Sequence, residues 1–231
     1  RERDLLRKIK QHSIRMIGPN CLGLIDTKSA LNASFAADMP AQGGIAFISQ
    51  SGALCTSVLD WAVDECIGFS KFISMGNKTD IDEVDLIQVI DSDDQTKVIL
   101  GYLEGVNNGM AFMHAAQKIT KKTPMIIVKS GGTMAGARAA SSHTGTLAGA
   151  ENAFDTAFKQ SGVLRAKTVE ELFDYARIFG QQPLPKGPRI ALVTNAGGPG
   201  IIAADAIERS KLEMATLSKT TIDLLRSSLQ P

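Results

Sequence analysis

The stretch Gly43-Gly44-Ile45-Ala46-Phe47-Ile48-Ser49-Gln50-Ser51-Gly52-Ala53 runs an apolar segment into a turn of small polar residues, and a helical pattern, Ala53 to Val63, starts where the turn ends. A short apolar run bounded by glycine and serine is the signature of a strand covered on both faces. The unit recurs downstream. Strand candidates are Ile45 to Ile48, Lys71 to Ser74, Val98 to Tyr102 and Met125 to Val128; helix candidates are Ala53 to Val63, Asp82 to Ile90, Gly109 to Ile119 and Ala148 to Gln160. This alternation predicts an α/β fold with a doubly wound parallel sheet.

Toward the N-terminus, Arg1 to Gln11 alternates charged and aliphatic residues at helical spacing and precedes a strand candidate, Ile14 to Ile17. One helix and one strand cannot bury their own apolar faces, so residues 1–25 are expected to be the tail of a preceding domain. Toward the C-terminus, a helix from Thr168 to Phe179 ends in Gln182-Pro183-Leu184-Pro185-Lys186-Gly187-Pro188, a stretch that continues neither kind of element. Residues 183–188 therefore read as a linker. A second start follows: strand Arg189 to Val193, a glycine-rich turn, helix Ile201 to Arg209 and a strand near Met214.

The 231 residues include 25 Lys and Arg against 24 Asp and Glu, so no net field draws the protein to nucleic acid or to an anionic membrane. No apolar run reaches the ~18 residues of a spanning helix, and the charged N-terminus does not resemble a signal peptide. Cys21, Cys55 and Cys66 lack metal-ligand spacing. They suit a reducing cytoplasm, and no metal site is expected.

Two turns place glycine at a helix start behind a strand: Ser49, Gln50, Ser51, Gly52 and Ala53, and Asn195, Ala196, Gly197, Gly198, Pro199 and Gly200. First-turn N–H groups have no intrahelical partner and favour an anion. Both turns are phosphate-binding candidates, although serine and glycine also serve simply as cap and turn. Neither fits the lysine-bearing P-loop or the dinucleotide fingerprint, so mononucleotide binding by this chain is unsupported. A third feature, Lys129-Ser130-Gly131-Gly132 leading through small residues to Ser141-Ser142-His143-Thr144-Gly145-Thr146-Leu147-Ala148-Gly149, cannot fill a core and carries one large polar group, the imidazole of His143. His12 and His114 sit on helical stretches and read as structural.

The His143 run resembles the phosphohistidine loop of the ADP-forming acetyl-CoA synthetases, NDP-forming relatives of succinyl-CoA synthetase. Further matches follow in the family's order: Ile17-Gly18-Pro19-Asn20-Cys21-Leu22-Gly23, Ile48 to Ala53, Ser74-Met75-Gly76-Asn77-Lys78-Thr79-Asp80-Ile81-Asp82, Tyr102-Leu103-Glu104-Gly105 and Thr194 to Gly200. Together they span nearly the whole chain.

The resemblance implies four segments. Residues 1–25 correspond to the end of a CoA-binding Rossmann domain, with Pro19, Asn20 and Cys21 as CoA contacts. Residues 26–182 correspond to a flavodoxin-like, succinyl-CoA synthetase-like phosphohistidine domain, 183–188 to a linker, and 189–231 to the start of a second flavodoxin-like ligase domain. The family's chemistry forms acyl phosphate and CoA from acyl-CoA and phosphate, moves the phosphoryl group to a histidine, and delivers it to ADP. It implies His143 as the carrier and Glu104 as the carboxylate holding the other ring nitrogen. Two helix starts, matching Ser51-Gly52-Ala53 and Asn195 to Gly200, neutralise the phosphate. The implied ligands are CoA and a small carboxylic acid, with ATP/ADP and Mg²⁺ in an ATP-grasp domain or subunit. The same resemblance implies an oligomer, inactive in full turnover as this stretch alone.

Two other readings fit parts of the pattern. Some protein lysine acetyltransferases carry synthetase-like domains as acyl-CoA sensors, and Leu31 to Phe35 and Leu59 to Ala62 suit them, but His143 in an intact loop favours catalysis. A non-enzymatic flavodoxin-type binding domain has no need of Glu104, His143 and two glycine-rich helix starts together.

Overall fold

The computed structural model describes residues 1–131 and 151–228. They form two compact units, Arg1–Gln182 and Pro183–Pro231.

The first unit opens with α1 (Glu2–Gln11), followed by strands β1 (Gly23–Asp26) and β2 (Leu31–Ser34). The alternating part comes next: β3 (Gln42–Ser49), α2 (Gly52–Asp64), β4 (Phe69–Ser74), α3 (Glu83–Asp91), β5 (Val98–Leu103), α4 (Gly109–Ile119), β6 (Met125–Lys129), α5 (Glu151–Ser161), β7 (Leu164–Ala166) and α6 (Val169–Gln181). The sheet has seven strands in the order β2-β1-β4-β3-β5-β6-β7. Strands β4, β3, β5, β6 and β7 are parallel, whereas β1 pairs antiparallel with both β2 and β4. The parallel part has the flavodoxin order, in which the chain winds first to one side of β3 and then to the other.

Alternation along each strand feeds two cores. Ile45, Phe47, Phe72, Leu100, Ile126 and Val128 pack with Cys55 and Val58 of α2 and Leu172 and Ala176 of α6. Ala46, Ile48, Ile73, Ile99 and Ile127 point the other way, onto Leu86 and Ile87 of α3, Phe112 and Ala116 of α4 and Phe158 of α5. The expected doubly wound architecture is the one observed.

One local expectation is corrected, and further strands appear. Ile14 to Ile17 is not a strand: the segment lies on the loop after β4, with the N–H of Ile81 donating to Met16 O at 3.2 Å and Arg15 Nε paired to Asp80 at 3.0 Å. The antiparallel edge β1–β2 and the three-residue β7 add strands beyond the sequence candidates. The β1–β2 turn is set by Asp26 Oδ1, which accepts the N–H groups of Lys28 and Ser29. Strand β1 and the segment before it lie in the unit Arg1–Gln182.

The second unit contains β8 (Arg189–Ile190), α7 (Gly197–Glu208), β9 (Glu213–Met214) and α8 (Lys219–Ser228). Its two strands pair parallel. Only Arg189 and Ile190 of the expected strand 189–193 are in the ladder, and α7 starts at Gly197 rather than Ile201. Pro199 is tolerated there because first-turn N–H groups need no helical acceptor.

Candidate active site

The topological switch point lies between β3 and β5, and its crevice opens at their C-terminal ends. At the end of β3, Ser49 is fully buried and its Oγ accepts the N–H of Ser51 and donates to Ser51 O, each at 3.0 Å. This closed turn leads directly from the C-terminal end of β3 into the first turn of α2. Ser51 is the N-cap and accepts the Leu54 N–H at 3.2 Å. No acidic side chain occupies the first turn of α2, whereas α3 and α6 carry Glu83 and Asp85, and Glu170 and Glu171, in theirs. An anion approaching α2 therefore meets no carboxylate of that helix.

Gln50 crosses the switch point. Its backbone N–H donates to Tyr102 O at 3.1 Å, and its side-chain Oε1 accepts the N–H groups of Glu104 at 2.7 Å and Gly105 at 3.1 Å. The expected phosphate turn and the expected catalytic carboxylate are thus joined by two hydrogen bonds from one side chain. Glu104 itself is half-buried, and its Oε2 is closed off from solvent with no hydrogen-bond partner among the described residues. A buried, unanswered carboxylate oxygen costs about 1–3 kcal/mol and marks a place where a donor is missing. An imidazole N–H is a donor of the right kind.

Lys129 ends β6 beside Leu103 of β5. It is buried, donates to Ser130 O and lies 4.7 Å from the centroid of the Phe154 ring. Burial pushes its pKa down, against the attraction of Glu151 and Glu104. On the other flank, the segment 17–22 covers the end of β4. Leu22 N donates to Ser74 Oγ at 3.0 Å, Asn77 N to Pro19 O at 2.9 Å, and Asn20 Nδ2 to Asn77 Oδ1 at 3.2 Å. Gly76 is required here: at φ +56 its backbone passes so close to Pro19 O that a Cβ would lie 2.2 Å away. Asn20 is exposed and Cys21 half-buried. Cys55 sits beneath this edge, where burial raises its thiol to about 11 and leaves it unreactive.

The sheet edge therefore brings together Pro19, Asn20 and Cys21, the turn Ser49 to Ala53, and Glu104. His143 lies outside the described residues. Asn195, Ala196, Gly197, Gly198 and Gly200 belong to the second unit. There Thr194 Oγ1 accepts the Ala196 N–H at 3.0 Å and donates to its carbonyl, while the N-cap Ala196 provides no side-chain cap. Among the described residues no group of three side chains suits a metal ion, and no helix is long and apolar enough to cross a membrane.

Sequence reasoning missed the groups that hold this edge. Lys78 and Glu83 are buried and paired at 2.9 Å, Lys78 Nζ also donates to Gly105 O at 2.7 Å, and Glu83 Oε1 accepts the N–H of Asn107 at 3.2 Å. The one available signal was a lysine and a glutamate flanking the helix start at Asp82, a spacing that ordinarily reads as a surface pair.

Residues 42–179 match the family described as succinyl-CoA ligase like flavodoxin domain. The chain is 47% identical over 230 residues to the acetate–CoA ligase [ADP-forming] II subunit alpha of Pyrococcus furiosus, covering all of this chain and 50% of that protein. It is 42% identical over 222 residues to the 4-hydroxybutyrate–CoA ligase [ADP-forming] of Nitrosopumilus maritimus, covering 94% of this chain and 32% of the relative. A solved structure of the dinucleotide forming acetyl-coenzyme A synthetase 1 of Ca. Korarchaeum cryptofilum, in complex with phosphate and ADP, superposes with a TM-score of 0.92 at 39% identity, over all of this chain and 50% of that one. The chain thus spans from about a third to half the length of these three relatives.

Proposed function

The chain belongs to the succinyl-CoA ligase-like flavodoxin domain family of the ADP-forming acyl-CoA synthetases, and from that membership we propose that it is the phosphoryl-carrying part of an enzyme interconverting acyl-CoA, ADP and phosphate with a carboxylic acid, CoA and ATP. Phosphate oxygen attacks the thioester carbonyl, the C–S bond breaks, and CoA leaves as the thiol. A ring nitrogen of His143 then attacks phosphorus and the carboxylate departs. Finally the P–N bond breaks as the phosphoryl group passes to ADP.

One observation carries the reading: Glu104 Oε2 is buried at the switch point without a hydrogen-bond partner among the described residues, next to a helix start with no acidic side chain in its first turn. The residues present fit the groups they would meet. Glu104 would accept the N–H of the non-reacting ring nitrogen, fixing the tautomer and steadying the imidazole as it gains and loses phosphate. The N–H groups of Gly52 and Ala53, and separately those of Gly197 and Gly198, offer ends where a phosphoryl group would be neutralised, whereas the N–H groups of Ser51 and Gly200 are taken by Ser49 Oγ and Ala196 O. Pro19, Asn20 and Cys21 would face the thiol end of CoA. Nucleotide and Mg²⁺ would be held by an ATP-grasp domain or subunit, and the three free cysteines suit a reducing cytoplasm.

In the complete ligase, His143→Ala abolishes transfer of label from [γ-³²P]ATP to a base-stable, acid-labile protein phosphate. Undiminished labelling in that variant sinks the assignment.

A further inference from the structure

Among the described residues Glu104 makes no side-chain hydrogen bond, and what fastens it there is its backbone. That backbone is fastened from two sides. Gln50 takes the N–H groups of Glu104 and Gly105. Lys78 Nζ donates to Gly105 O at 2.7 Å, and Glu83 Oε1 accepts the Asn107 N–H at 3.2 Å. Loops are ordinarily the loosest parts of a fold; this one is fixed at four backbone groups by three side chains from separate segments.

The pair that makes two of those bonds is placed at a cost. Lys78 and Glu83 are 7% and 0% exposed, and a buried ion pair gives no net stability over an apolar pair of the same volume. Lys78 also sits at φ +53, a conformation side chains rarely adopt. Strain and buried charge kept together ask for a use other than stability. We propose that the Lys78–Glu83 ion pair is the positioning device for Glu104, setting the loop 104–107 so that the carboxylate's free oxygen faces the reacting group. Neither residue touches substrate. The inference rests on the reading of Glu104 as the carboxylate that orients the phosphate-carrying imidazole.

The same loop offers a built-in control. Asn77 N and Thr79 N, on either side of Lys78, bond to Pro19 O and Gly18 O through backbone groups, so the expected CoA contact does not depend on the ion pair. The test measures kcat, KM for CoA and melting temperature in the complete ligase for Lys78→Met/Glu83→Gln, alone and combined with Glu104→Gln. A displaced loop lowers kcat by on the order of 10²-fold, the effect of a misplacement of about 1 Å, while KM for CoA stays within about twofold. In the Glu104→Gln background the same pair of changes lowers kcat by less than about twofold, because the group it positions is gone. Glu83→Gln alone keeps the Asn107 acceptor and shows the same non-additivity at a smaller loss, should the double change fail to fold. A loss that multiplies in full with Glu104→Gln, or unchanged kcat in the double variant, overturns the positioning role. If Glu104→Gln turns over at the parent rate, the reading of Glu104 falls and this inference with it, while the His143→Ala labelling result stands separately.

Discussion

After β3, Ser49 Oγ closes its turn by taking the Ser51 N–H and giving its proton to Ser51 O, both at 3.0 Å; ahead of α7, Thr194 does the same to Ala196 at 3.0 and 3.2 Å. The two turns are one piece of local chemistry built twice. They part at the next step, because Ser51 caps its helix by accepting the Leu54 N–H, whereas Ala196 has no side-chain oxygen to offer. α2 answers one of its orphan donors internally, and α7 leaves its start open. The glycines follow the same division. A Cβ on Gly52 would meet Leu22 N at an ordinary 3.7 Å, and one on Gly197 or Gly198 would meet nothing within 4 Å. Among the described residues no packing constraint keeps side chains off these positions, which is what the proposed approach of a phosphate would require.

Gly198→Val tests that most severely. Since its Cβ would have free space, melting of the isolated chain shifts by no more than about 2–4 °C, the equivalent of ~1 kcal/mol. Turnover of the complete ligase falls by on the order of 10²–10³-fold, as when a preorganised N–H donor is lost from a reacting phosphate or oxyanion. Parent-like turnover would mean that the open start of α7 is a surface accident and that the likeness of the two turns carries no function.

The likeness was legible in the sequence, and the difference only partly. Strands such as Ile45 to Ile48 and Met125 to Val128 declare themselves because both faces are covered and nearly every residue is apolar. β1, β2 and β7 escape notice because three or four residues hold too little periodicity, and because the antiparallel edge is set by one carboxylate, Asp26, folding its own turn. Within the site, the small-residue turns can be found by inspection, while Glu104 was reachable only through the family resemblance. Lys78 offered only a spacing that reads as a surface pair. Whether that side chain turns out to solvent or in toward Gly105 depends on a φ of +53 and on a loop 27 positions away, and neither is written in local sequence.

Ala196→Ser would make the second turn like the first. A serine at the N-cap accepts an N–H of the first turn and stabilises the helix by about 0.5–2 kcal/mol, so protection of α7 amides against hydrogen exchange rises. The same hydroxyl competes for a donor that an incoming phosphoryl group would use, and turnover drops by about three- to tenfold, a loss of roughly 1 kcal/mol of transition-state stabilisation. Greater protection with no change in turnover would separate the openness of the start from its use.

Ser51→Ala makes the opposite change and has the smallest expected effect on activity. Removing the cap leaves the Leu54 N–H unanswered at a cost of ~1 kcal/mol, read as a fall in melting temperature of about 2–4 °C for a unit of this size. The Ser49 bonds to the backbone of residue 51 do not involve the Ser51 hydroxyl, so the turn keeps its shape and the first N–H groups keep their direction. If phosphate is held at α2 by backbone donors, turnover stays within about threefold of the parent, because an alanine presents the same N–H groups. A loss beyond about tenfold at the same modest melting shift would instead assign the Ser51 hydroxyl itself to the phosphate. The two helix starts would then differ in mechanism: one would bind the anion through a side chain, the other through bare backbone.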